Sequence, residues 1–78
     1  MIVNLFSKIE SKEEMNILIQ DLLTPQEITE IAERVKMVRQ LKEGKTQRAI
    51  AKDLGVSVTT VNRASRMLQY GSGFRELI

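Results

Sequence analysis

Residues 47–65 read QRAIAKDLGVSVTTVNRAS, two short helical patterns broken at Gly55. Two helices that cross steeply need a small residue at the crossing, a turn residue that tolerates positive φ, and apolar residues that lock the pair. Ala51 is the small residue and Gly55 follows four positions later in the turn. Val61 sits at the centre of the second pattern, and Ile50, Leu54 and Val56 complete a small core. Thr46 can cap the first helix, which runs to about Leu54; Ser57 can cap the second, with Val58, Val61, Ala64 or Ser65, and Leu68 as its inward stripe. The segment predicts a helix-turn-helix. An ordinary αα-hairpin inside a bundle would use much of the same spacing.

Polarity separates those two readings. A second helix buried on all sides would carry apolar outer positions, whereas this one carries Thr59, Thr60, Asn62, Arg63 and Arg66. Those side chains can reach base edges and phosphates. In a helix-turn-helix the N-terminal part of the second helix enters the major groove, where its unpaired N–H groups also meet phosphate. Ser57, Thr59, Thr60 and Asn62 are therefore the candidate base contacts. Lys45, Arg48, Lys52, Arg63 and Arg66 are the candidate phosphate contacts, with Gln47 at the backbone or groove edge.

Upstream, Thr24-Pro25-Gln26-Glu27 is the strongest helix start in the chain. Thr24 offers the N-cap oxygen, Pro25 occupies the first helical position, and Glu27 can reach back to the cap. The helix that follows is read as a scaffold, with Ile28, Ile31, Ala32, Val35, Val38 and Leu41 on one buried stripe and Gly44 as its left-handed stop. Ser11 and Glu14 form a second capping pattern, opening a helix whose apolar face is Met15, Leu18, Ile19 and Leu22. Ile2, Leu5, Phe6 and Ile9 suggest a short first helix. Downstream, Tyr70-Gly71-Ser72-Gly73 reads as a break, and Phe74 to Ile78 as at most a turn of helix. No alternation persists long enough for a strand, so the fold class is all-α, a small helical bundle with a helix-turn-helix. Residues 1–44 are read as dimerisation and scaffold helices, 45–70 as the DNA-binding region and 71–78 as a short tail, all in one compact domain.

Composition narrows the function. The chain has 78 residues, 42% hydrophobic and 28% charged, with no cysteine and no histidine. So small a domain hides too little surface to be robust alone, and without disulfides or nitrogen and sulfur metal ligands a second copy of the chain is the expected support. Thiol nucleophiles and the commonest general base are missing, so an enzyme is not expected and no cofactor is required. No apolar run approaches the roughly 20 residues of a membrane span, and MIVNLFSKIE at residues 1–10 lacks a basic leader and cleavage site. A cytoplasmic, nucleoid-associated bacterial protein is the reading. Residues 1–44 carry six basic and eight acidic side chains, net −2, while residues 45–78 carry six basic and two acidic, net +4. That asymmetry turns the basic half toward a polyanion.

The stretch Leu22–Leu68, 47 of the 78 residues, resembles the tryptophan repressors and their relatives, the TrpR/YerC superfamily. The matching text is LLTPQE at 22–27, ERVKMVRQLKEG at 33–44 and QRAIAKDLGVSVTTVNRAS at 47–65. The resemblance implies an all-helical dimeric repressor whose subunits interlock through their N-terminal helices. It also implies L-tryptophan as corepressor, its indole held between arginines that align with Arg34 and Arg63, with Leu23 and Thr24 at the same site. Guanidinium planes stack well on an aromatic ring, which suits Arg34 and Arg63 to that role. The chain departs from the tryptophan-repressor pattern at Ala64, where the family has glycine, at Met67, where it has serine, and at Asp21, where it has an apolar residue. The connection GKTQR and the tail YGSGF are closer to the YerC-like branch.

These readings converge on a sequence-specific transcriptional repressor that binds a palindromic DNA operator as a homodimer. The alternative is a non-enzymatic protein-interaction or adaptor module with the same helical fold.

Overall fold

A computed structural model describes residues 1–78 as six helices with no strand. They are α1 (Ile2–Ser7), α2 (Lys12–Leu22), α3 (Pro25–Lys42), α4 (Gln47–Leu54), α5 (Val58–Tyr70) and α6 (Ser72–Leu77). The chain divides into two compact units, Met1–Glu30 and Ile31–Ile78. The division falls within α3.

In the first unit, helix ends are set by local side-chain chemistry. Ser11 Oγ accepts the Glu14 N–H at 3.1 Å and opens α2. The Glu14 carboxylate accepts from the Glu10 N–H at 3.0 Å, one residue earlier than a standard box would place it. Thr24 and Glu27 form the full reciprocal box: Thr24 Oγ1 accepts from Glu27 N–H at 3.1 Å, and Glu27 Oε1 accepts from Thr24 N–H at 2.8 Å. That bond to the backbone holds the exposed Glu27 carboxyl below its ordinary 4.5. No side chain of α1 or α2 is buried.

The core lies in the second unit. Met37, Val38, Ile50, Ala51, Val61 and Ala64 are its buried side chains, with Val38, Ile50 and Val61 fully enclosed. Leu41, Leu54, Val56, Leu68, Phe74 and Ile78 pack around them. This corrects the expected stripe of α3. Of its six residues only Val38 is buried, Ile31 and Ala32 are exposed, and the buried neighbour is Met37. Periodicity marks an apolar face, but burial requires another element above it, and α4 and α5 cover only the last turns of α3.

The tail differs from expectation too. α5 continues to Tyr70, and Ser72 and Gly73 are helical, so the break narrows to Gly71. A Cβ at Gly71 would lie 2.6 Å from the Met67 carbonyl oxygen, which explains the glycine sterically. α6 packs on α5 and is tied to α3 by Lys42, whose Nζ donates to the carbonyls of Arg75 at 3.0 Å and Phe74 at 3.4 Å.

Candidate nucleic-acid interface

The sequence between Thr46 and Gly71 builds two capped helices at a short turn. Thr46 Oγ1 accepts the Ala49 N–H at 3.1 Å, and Ser57 Oγ accepts the Thr60 N–H at 3.1 Å, so α4 and α5 each start on a hydroxyl. Gly55 ends α4 at φ +67°, and the Val56 N–H closes back onto the Ala51 carbonyl at 3.0 Å. Ala51 and Ala64 are both buried where the two helices meet the core, and Ile50 and Val61 fill it. Gln40 Nε2 donates to Asp53 Oδ2 at 3.2 Å, tying the end of α4 to α3. The amide cannot be turned over there, because its oxygen would then face the carboxylate.

This leaves one side of α5 open. Val58, Thr59, Asn62 and Arg63 are exposed, spaced so that they share the outer side of the first two turns. Val58 is 49% exposed, which corrects its place in the buried stripe: the first residue of the helix precedes the turn that α4 covers. Ala64, not Ser65, is the buried member of that stripe, and Leu68 is half-buried.

The candidate residues fall into distinct roles. Arg48, Lys52, Arg63 and Arg66 are exposed, and none is in an ion pair; the one pair in the chain joins Lys45 to Glu43 at 3.6 Å. The Ser57 hydroxyl is occupied by its cap and by a 2.9 Å hydrogen bond with Thr60 Oγ1, so these two hydroxyls serve each other. Thr59 is exposed with its hydroxyl unbonded to the rest of the chain. Asn62 Nδ2 donates to Gln47 Oε1 at 3.3 Å, a link between α5 and α4 that no local pattern signals. The unit holding these helices, residues 31–78, has ten basic and four acidic side chains, net +6; residues 1–30 have two basic and six acidic, net −4.

The residues aligned with the effector site are divided. Leu23, half-buried, and Thr24, engaged in its capping box, belong to the first unit; Arg34 and Arg63 are exposed in the second. Ala64 is part of the core, Met67 is 45% exposed, and Asp21 is exposed.

The fold is small and all-α, with two capped helices, α4 and α5, joined at a short turn, and the family into which the chain falls supports a regulator of the repressor type. The chain belongs to the Trp repressor protein family, whose family model matches residues 1–77. This is a regulatory family, not an enzymatic one. The chain is 34% identical over 74 residues to a Bacillus subtilis protein named Uncharacterized protein YerC, covering 95% of this chain and 71% of that one. It is 35% identical over 72 residues to a Vibrio vulnificus Trp operon repressor homolog (91% and 71% covered). A Xylella fastidiosa Trp operon repressor homolog is 29% identical over 70 residues (88% and 76% covered). No solved structure gives a significant match. No helix is long and apolar enough to cross a membrane.

Proposed function

We propose that this protein is a sequence-specific DNA-binding repressor that acts as a homodimer on a palindromic operator. The observation that carries the reading is the set of exposed, unpaired cations on the two helices, Arg48 and Lys52 on α4 and Arg63 and Arg66 on α5. Cations held apart from the chain's own carboxylates are available to phosphates, and phosphate neutralisation supplies most non-specific affinity for duplex DNA. Lys45, Gln47 and the α5 N-terminus extend the same surface, with Thr59 and Asn62 nearest the bases.

Dimerisation is supported by the first unit. Ile2, Val3, Phe6, Ile17 and Leu22 are all exposed, and no side chain in α1 or α2 is buried. A chain of 8.9 kDa that leaves this much apolar surface open gains stability from covering it with a second copy. A homodimer then reads two half-sites about one helical turn apart. The same apolar surface would suit an adaptor; the net +6 of residues 31–78 favours a polyanion such as DNA.

L-tryptophan is the corepressor proposed with this reading, on the alignment of Leu23, Thr24, Arg34 and Arg63; the exposed Arg34 and Arg63 guanidiniums support it. Selection of bound duplexes from a random pool, with and without L-tryptophan, tests both parts. Recovered duplexes with paired half-sites support the repressor; failure to bind any duplex overturns it. A ligand specific for the folded state raises its melting temperature, so no shift at saturating L-tryptophan removes the corepressor.

A further inference from the structure

The hydrogen bond between Asn62 and Gln47 has a consequence for what α5 can read. Asn62 is exposed on the outer side of α5, one turn beyond Val58, and Gln47 is the first residue of α4. An asparagine amide holds two N–H donors and one carbonyl oxygen. Here one N–H of Nδ2 is taken by Gln47 Oε1 at 3.3 Å. That bond restrains the Asn62 amide; with the N–H trans to Oδ1 donated to Gln47, the cis N–H and Oδ1 stay side by side for a ligand. Gln47 in turn keeps both of its own N–H groups, at the N-terminus of a helix where a phosphate is favoured.

The geometry points to Asn62 as the residue that specifies an adenine in each half-site, with Gln47 as its positioning residue. The inference rests on the DNA-binding reading. One donor beside one acceptor matches the major-groove edge of adenine, where N7 accepts and the N6 amino group donates. Guanine presents two acceptors, N7 and O6, so Oδ1 would face O6 with no proton between them. Cytosine offers only a donor and thymine only an acceptor with its methyl group. The match survives turning both amides over, because Asn62 still presents an N–H and a carbonyl lone pair. Ser57 and Thr60, whose hydroxyls bind each other at 2.9 Å, do not compete for that base.

The test uses the full chain and the highest-affinity duplex it recovers from a random pool. At each adenine in turn, 7-deazaadenine removes the N7 acceptor and unsubstituted purine removes the N6 amino group. The expected result is one adenine per half-site where each replacement weakens wild-type binding measurably, and loss of the whole bidentate contact costs about 5- to 150-fold. Asn62→Ala, with Asn62→Ser as a second variant, binds the natural and modified duplexes equally while keeping the wild-type salt dependence. Gln47→Leu loses the discrimination. Gln47→Glu keeps an acceptor for Asn62 Nδ2, so it retains the discrimination while binding every duplex more weakly. Circular dichroism checks that each variant is folded, as expected for side chains outside the core. A wild type insensitive at every adenine, or Asn62 variants as sensitive as wild type, would overturn the assignment and leave DNA binding intact. Failure of the wild type to bind any duplex would overturn both.

Discussion

The ammonium of Lys42 lies 3.0 Å from the carbonyl oxygen of Arg75, so the last residue of α3 closes the last turn of α6 across 33 positions of sequence. A cation at a helix C-terminus satisfies carbonyls that have no partner within the helix and meets the negative end of its dipole. Six residues make too short a helix to persist unaided. Lys42→Met is therefore expected to fray α6 selectively. Amide exchange by NMR should show faster exchange at residues 72–78 with α4 and α5 unchanged; equal exchange in both proteins would refute the tie.

Two glycines two positions apart, Gly71 and Gly73, should behave oppositely. Gly71→Ala places a Cβ 2.6 Å from the backbone oxygen of Met67, so the junction of α5 and α6 must shift and stability falls. Gly73 lies inside α6 with nothing within 4 Å of its Cβ position, so Gly73→Ala gains about 0.5–1 kcal/mol of helix preference. Thermal melts of the two variants check the opposite signs.

Val58 and Ile50 are both apolar and both lie on helical stripes, but only Ile50 is enclosed. Ile50→Ala is expected to cost about 2–5 kcal/mol through lost burial and the cavity left behind. Val58→Ala should remain within about 0.5 kcal/mol in the unliganded protein, since most surface substitutions do. Urea titrations followed by circular dichroism measure both.

Glu27 gives stability a pH dependence with a definite sign. Its carboxylate accepts the Thr24 N–H, so its folded pKa lies below the ordinary 4.5. A depressed folded pKa contributes stability above the unfolded value, and that contribution is lost as pH falls through the folded value. Wild type should exceed Glu27→Gln in stability at neutral pH, and the difference should vanish on acidification below the folded pKa. NMR titration of the Glu27 carboxyl, with a midpoint under 4.5, provides the independent check.

Arg48 is exposed and unpaired on α4. As a phosphate contact it should raise affinity for all duplexes alike, and Arg48→Ala should lower the slope of log affinity against log salt by about one. Affinities across a salt series for the selected duplex and a random one measure this. A wild-type slope in the variant would remove Arg48 from the interface.

What the sequence by itself determined is where α2, α3, α4 and α5 begin and where α3 and α4 end. Thr24 with Glu27, Ser11, Thr46 and Ser57 act on N–H groups three residues away, and Gly44 and Gly55 take positive φ where the chain must turn. Such chemistry lies within one turn of helix and can be read from neighbouring letters. The all-α class and the α4–α5 motif follow from it. Tertiary structure alone decided that Met37 is enclosed while Ile31 and Val58 face outward, that Lys42 holds α6, and that Asn62 is joined to Gln47. Periodicity says which residues share a face, but not which part of that face another helix covers. A polar bond between residues 15 or 33 positions apart depends on chain packing that leaves no local mark in the sequence.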